Sequence, residues 1–240
     1  ELLPIEYRRG VDPAISCHGK VIGNCLRGDL KSNYEILVLG DSHGNQLNIF
    51  FDQLGKELGF KARVITGSSC VTIPGFDYQR IPEWAQRDCI EQINQGQLYQ
   101  HRADKIFLVG SWDFHLKSQS FILVLNDYLR KTEKKIFILS QIPRFRQNIM
   151  RVQRFQKLGL KKSMELDQRY QVANRIIDAI ASKFSHVTYM DLDKLPVFKN
   201  APYWNGKVIY RDEHHINEIG ARAYAEDALL NFNSIFKIEK

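Results

Sequence analysis

The chain has 240 residues, of which 44% are apolar and 25% charged, the profile of a soluble globular protein made of one ordinary α/β domain or one domain with a small appendage. No stretch approaches the roughly 20 uncharged apolar residues of a membrane span, and no secretory leader pattern is present. The formal net charge of +7 leans toward anionic surfaces, but no nucleic-acid motif or aromatic-spaced basic repeat accompanies it, so nucleic acid is not an expected partner.

The chain begins at Glu1 with no methionine, and a fragment or processed form is expected. Residues 1–34 lack periodicity and hold Pro4, Gly10, Pro13, Gly19, Gly23 and Gly28, which predicts an irregular extension packed on a domain spanning 35–240. Ile36 to Leu39 is a short apolar run that reads as a buried parallel strand, broken sharply by Gly40-Asp41-Ser42. Leu47, Phe50, Phe51, Leu54 and Leu58 then fall at helical spacing, so the chain goes strand, tight turn, helix.

Strand and helix patterns alternate from there. Ala62 to Thr66 is a second strand, ending in Gly67-Ser68-Ser69-Cys70, and a long connection with Pro74, Gly75 and Pro82 leads to a weakly amphipathic helix near Glu83–Gln97. Lys105 to Gly110 is a third strand, Ile122, Leu125 and Leu129 mark a helix, and Lys135 to Ser140 is a fourth strand. A basic stretch follows, Arg144, Arg146, Arg151, Arg154, Lys157, Lys161 and Lys162, readable as a solvated face or as a contact for an anionic glycan, lipid or protein. Leu166, Tyr170, Ala173, Ile177, Ile180 and Phe184 predict a helix, Val187 to Met190 a fifth strand, and residues 192–211 a turn-rich connection. The last helix begins at the N-cap Asn217. This alternation predicts an α/β fold, a three-layer α/β/α sandwich whose parallel sheet has flavodoxin-like order.

The four cysteines form two local couples, Cys17 with Cys25 and Cys70 with Cys89, without zinc-type or redox spacing. Disulfides within each couple would imply an oxidising compartment, and reduced buried thiols are the alternative.

Ser42 sits at a strand-to-helix turn, at the carboxyl edge of the predicted sheet, where a helix start offers free N–H groups. A serine hydroxyl becomes a nucleophile when an imidazole takes its proton, and the imidazole needs an acceptor to fix its tautomer. Asp212-x-x-His215, just ahead of the last helix, supplies both within one turn, with His214 as the other candidate base.

Gly40-Asp41-Ser42-His43 together with Asp212-Glu213-His214-His215-Ile216-Asn217 resembles the first and last blocks of the SGNH hydrolase family. More narrowly it resembles the extracytoplasmic SGNH domain that follows the membrane part of acyltransferase-family-three proteins, which O-acetylate bacterial cell-surface glycans such as lipopolysaccharide. That resemblance implies Ser42 as nucleophile, His215 as base and Asp212 as its orienting acid, with the Ser42 N–H in the oxyanion hole. It implies an acetyl donor and a glycan acceptor as partners, a membrane acyltransferase part before Glu1, a periplasmic location tethered to the inner membrane, and no metal or cofactor. Where the family carries an oxyanion Asn after strand three, this chain has Trp112 in Gly110-Ser111-Trp112-Asp113, and either Gly67 or Gly75 could stand for the second-block glycine.

His43 is expected to pack near the turn and Asp41 to fix it by accepting backbone N–H bonds. A carbohydrate O-acetyl esterase would use the same triad. Two other classes compete. Gly40-Asp41-Ser42-His43-Gly44-Asn45 also resembles the opening block of calcineurin-like metallophosphoesterases, with Asp41 and His43 as metal ligands, and a non-catalytic glycan-binding domain could keep the fold without the chemistry.

Overall fold

Apolar side chains of each central strand alternate between two cores. Ile36 and Val38 face one core while Leu37 and Leu39 face the other, and Phe107 against Leu108 and Phe137 against Ile138 repeat the division. A sheet buried on both faces follows, since only helices above and below can cover both. The computed structural model describes residues 4–11 and 14–236 and has that organisation.

In chain order the elements are β1 (Leu26–Gly28), β2 (Glu35–Gly40), α1 (Ser42–Asn45), α2 (Asn48–Leu58), β3 (Lys61–Thr66) and α3 (Glu83–Gln100). Then come β4 (Lys105–Val109), α4 (Trp112–His115), α5 (Gln119–Lys131), β5 (Lys135–Leu139), α6 (Ile149–Lys157), α7 (Arg169–Ala181) and β6 (Val187–Met190). A hairpin of β7 (Tyr203–Trp204) and β8 (Lys207–Val208) precedes α8 (Glu218–Phe236). The main sheet has the order β1-β3-β2-β4-β5-β6. Its five parallel strands run second-first-third-fourth-fifth, the flavodoxin-like order.

The outermost strand differs from expectation. β1 comes from the stretch read as irregular and pairs antiparallel with β3, Arg27 opposite Ala62. It is too short for periodicity to reveal it. Arg27 ties it down by donating to the Ile15 and Leu26 carbonyls and to Asn48 Oδ1.

Helices α2 and α8 pack together on one face, with the Phe50 and Tyr224 rings 4.7 Å apart, and α3, α5 and α7 supply the other core. The helix expected from Leu47 is α2, and the turn before it carries a helical turn of its own, α1, parted from α2 where the Asn48 side chain donates to the Asn45 carbonyl. The helix expected from Leu166 starts at Arg169, and Leu166 instead bridges Phe145. The hairpin of β7 and β8 had a legible signal that periodicity overlooks: Asn205-Gly206, with φ of 48° and 74°, is the turn pair that two-residue hairpins require. Among the described residues, no helix is long and apolar enough to cross a membrane.

The cysteines pair as Cys17–Cys25 and Cys70–Cys89. The second bond ties α3 to the loop after β3 across 19 positions of sequence, and restricting an unfolded loop of that length is worth about 3 kcal/mol. Replacing Cys70 and Cys89 together by serine is expected to lower the calorimetric Tm by about 6–12 °C for a chain of this size. An unchanged Tm would show that the bond does not constrain the unfolded chain.

Candidate active site

Strand β2 ends where no side chain fits: a Cβ on Gly40 would collide with the Val109 carbonyl of the neighbouring β4. The chain therefore turns at once, and Asp41 caps α1 by accepting from the His43 N–H at 2.7 Å. Ser42 is the first residue of that turn of helix, a position whose N–H has no intrahelical acceptor.

The structure brings the two ends of the sequence together there. Ser42 Oγ lies 2.9 Å from His215 Nε2, and His215 Nδ1 lies 2.9 Å from Asp212 Oδ2. Asp212 Oδ1 accepts from the backbone N–H groups of His214 and His215, which shapes the loop as an Asp-headed turn and points the His215 ring back at its own carboxylate. Burial opposes ionisation of Asp212, but its bond to His215, the nearby imidazole charge and the His214 N–H hold its carboxyl well below the usual carboxylate range. The hydrogen bond to Ser42 Oγ comes from His215, and His214 stacks on His43 with ring centroids 5.3 Å apart.

The loop's position is fixed by residues that periodicity alone does not single out. Gln46, one helical turn after Ser42, accepts from the Ile216 N–H at 2.7 Å and so straps the His215 loop to the Ser42 helix. Phe145 N–H donates to the Glu213 carbonyl at 2.8 Å from the other side. Asn217 caps α8 by accepting from the Gly220 N–H and donates to the Val208 carbonyl. The leader joins in, because Glu218 N–H donates to the Arg8 carbonyl.

Behind Ser42 lies a buried relay. Asp41 Oδ2 accepts from the Ser111 N–H and from His115 Nε2, each at 2.8 Å, and Arg80 Nη2 stands 2.6 Å from His115 Nδ1. Since a guanidinium can only donate, His115 is neutral with its proton on Nε2, aimed at Asp41. Burial pushes the His115 pKa down despite Asp41, and burial likewise pushes His43 down to about 3. His115 could have been found from its place just after β4 at the carboxyl edge.

Both histidines stay neutral in the fold but take up a proton near pH 6.5 once unfolded, so the unfolded chain binds more protons below that pH. Stability is therefore expected to be full above about pH 6.5 and to fall as pH drops, steepening toward roughly 3 kcal/mol per pH unit once both are fully charged in the unfolded chain. Urea midpoints at pH 7 and pH 5 measure this, and equal midpoints would refute it.

The candidates for the rest of an oxyanion hole fare unequally. Trp112 is fully buried and its indole N–H donates to the Leu139 carbonyl at 2.7 Å, so this side chain is core and not an oxyanion donor. Gly67 stands beside the Ser42 turn, but its N–H donates to the Gly40 carbonyl at 3.1 Å. Gly75, at φ 81°, turns the loop against Val124. His18 and Ser68, which the sequence reading passed over, meet at 3.1 Å next to Thr66, and His18 feels the charges of Asp41 and His215. Asp41 already accepts from three internal donors, one on Oδ1 and two on Oδ2, which is the work of a residue that fixes the turn.

Beside the Asp212–His215 loop opens a cleft of about 610 Å³ lined by Arg144, Phe145, Arg146, Asn148, Asp167, Arg169 and Glu213. Arg144, read from sequence as part of a basic face, turns inward to pair with Asp113 and Asp167. Gln141 holds Asp113 from the other side, with its Nε2 2.7 Å from Asp113 Oδ1. Arg151, Arg154 and Lys157 on α6 stay in solvent.

Comparison with known proteins agrees with the fold. The structure of the periplasmic domain of a lipopolysaccharide acetyltransferase from Salmonella ser. Paratyphi A superposes with a TM-score of 0.64 at 14% identity, covering 92% of this chain and 91% of that one. A structure described as a "putative platelet activating factor" from Streptococcus pneumonia superposes with a TM-score of 0.51 at 16% identity, covering 86% and 85%. At such identities these share the fold. No curated protein matches the sequence. The family model described as the SGNH domain fused to AT3 domains matches residues 12–229, a span that takes in both the Ser42 turn and the Asp212–His215 loop, and the chain belongs to that family.

Proposed function

We propose that this domain is an O-acetyltransferase that moves an acetyl group onto a hydroxyl of a cell-surface glycan through an acyl-enzyme on Ser42. The observation that carries the reading is the unbroken chain from Ser42 Oγ through His215 to Asp212, with a 2.9 Å contact at each link. In the first step Ser42 Oγ attacks the carbonyl carbon of an acetyl ester, and its proton passes to His215 Nε2. The Ser42 N–H, at the positive end of α1, stabilises the oxyanion. Collapse of the tetrahedral intermediate expels the donor's alkoxide, which takes the proton from His215. A sugar hydroxyl then gives its proton to His215 as its oxygen attacks the acetyl carbon, and Ser42 recovers a proton as it leaves.

The family's fusion to AT3 domains and the description of the Salmonella neighbour support a glycan as acceptor and a membrane acyltransferase part as the source of acetyl groups. The two disulfides, stable in oxidising surroundings, support a periplasmic location. The cleft beside Glu213 has the size and polar lining to admit a sugar next to the acyl group. Substituting water for the sugar would make the same triad an esterase.

The test is intact-mass and peptide analysis after mixing with p-nitrophenyl acetate. One acetyl group on the Ser42 peptide, transferred when oligosaccharide is added and absent in Ser42→Ala, is the expected result. A folded wild-type protein that acquires no adduct and does not react with a fluorophosphonate would favour the non-catalytic reading.

A further inference from the structure

Three imidazoles crowd the mouth of the site, and the triad uses one. The His43 ring centroid lies 5.3 Å from those of both His214 and His215, which are 4.1 Å from each other. One ring nitrogen from each of the three lies within 4.8 Å of the other two. His43 is 2% exposed and its Nε2 is buried with no hydrogen-bond partner among the described residues, and Nδ1 of His214, with Glu213 Oε1 3.9 Å away, is buried and likewise lacks a hydrogen bond. Buried polar atoms left in that state cost about 1–3 kcal/mol each, so two of them in one histidine cluster call for a ligand.

The donor set selects the ligand. Imidazole nitrogens suit zinc and its neighbours in the transition series, whereas magnesium and calcium take oxygen ligands. Three histidines with a fourth position open is an established zinc arrangement, and tetrahedral bonds of about 2.0–2.1 Å bring ligand nitrogens to about 3.3 Å from one another. His43 is held on α1 and the loop backbone is strapped at Glu213 and Ile216, so the closing movement falls to the side chain of His214, which is 27% exposed. Asp212 on Nδ1 of His215 is the carboxylate partner that orients metal-binding histidines, and it leaves Nε2 as the ligand atom.

We propose that His43, His214 and His215 bind one zinc-class divalent cation, and that the bound cation switches the domain off by occupying the His215 Nε2 that would otherwise accept the Ser42 proton. Sequence reading assigns no metal to this chain; the site emerges only when His43 is brought against the loop from the far end of the sequence. Binding stands on the histidine cluster alone. The switching half rests on the acyl-enzyme reading above.

The experiment uses the domain without a histidine tag. Zinc binding is measured by calorimetry, and cobalt serves as the spectroscopic probe of tetrahedral nitrogen ligation. The expected result is one cation per chain, with affinity reduced at least about tenfold in His214→Ala and in His43→Gln and kept in Ser42→Ala. Near-ultraviolet circular dichroism verifies each fold, and His214→Ala decides the matter if the buried His43 variant fails to fold. Absence of saturable binding, or binding indifferent to His214→Ala, overturns the site.

Zinc is also expected to slow fluorophosphonate labelling of Ser42 by at least about tenfold, reversibly by chelator, as removal of a general base does. The ratio of rates without and with zinc should approach one in His214→Ala. Labelling that persists at saturating zinc overturns the switch. If chelated wild type never labels, the acyl-enzyme reading fails, and the binding measurement still decides the site.

Discussion

Replacing Ser42 by alanine is expected to abolish acetyl-adduct formation and to cut transfer by about a millionfold, and His215→Ala should do nearly the same. The reason is that hydroxyl and imidazole act as one unit: at 2.9 Å each is useless without the other. The double variant should therefore be no worse than either single one, since the second change removes nothing that still functions. Asp212→Asn should cost less, about ten-thousandfold, because an amide can still meet His215 Nδ1 but favours the tautomer whose Nε2 carries a proton and cannot accept another. The check is the rate of Ser42 acetylation from an activated ester, with urea unfolding run in parallel. His215→Ala labelling within tenfold of wild type would remove His215 from the mechanism.

How much of this was legible before any coordinates existed follows from what each feature depends on. Strands β2, β4 and β5 are apolar runs bounded by turn residues, and burial on both faces leaves that mark on sequence. Ser42, Asp212 and His215 were legible because turn chemistry and the Asp-x-x-His spacing are local, and the common carboxyl edge does the rest. What escaped is set by contacts distant in sequence. Nothing local marks Leu26–Gly28 as a strand, since its partner is β3, nor Gln46 as the strap for Ile216, 170 positions on. Trp112 went the other way: its place after β4 suggested the site, but its ring reaches the Leu139 carbonyl across the sheet. His115 and Arg80 matter only through Asp41, a relation that spacing does not encode.

That relation yields the second large effect, in Asp41→Asn. Every neighbour of this carboxylate is a donor: the His43 N–H on one oxygen, the Ser111 N–H and His115 Nε2–H on the other. His115 cannot move its proton to relieve a clash, because Arg80 donates to its Nδ1. An amide in this place must aim its own N–H groups at one side or the other, so at least one buried donor loses its acceptor whichever way the group turns. Burial makes the negative charge costly, yet the bonds from His115 and the Ser111 N–H still hold the Asp41 carboxyl well below the usual range, the sign of a carboxylate the fold has organised itself around. Removing the charge is expected to cost about 1–3 kcal/mol in urea unfolding, the cost of a buried donor left without its acceptor. Because the bond from the His43 N–H sets the angle at which Ser42 leaves the strand, Ser42 acylation should slow by at least about a hundredfold, as misplacing a reacting group by an ångström does. His115→Ala separates the two roles. It spares the capping oxygen, so it should lose stability while keeping more of the acylation rate than Asp41→Asn. Equal stability of wild type and Asp41→Asn would mean that the carboxylate is dispensable and that Gly40 and α1 set the nucleophile's direction without it.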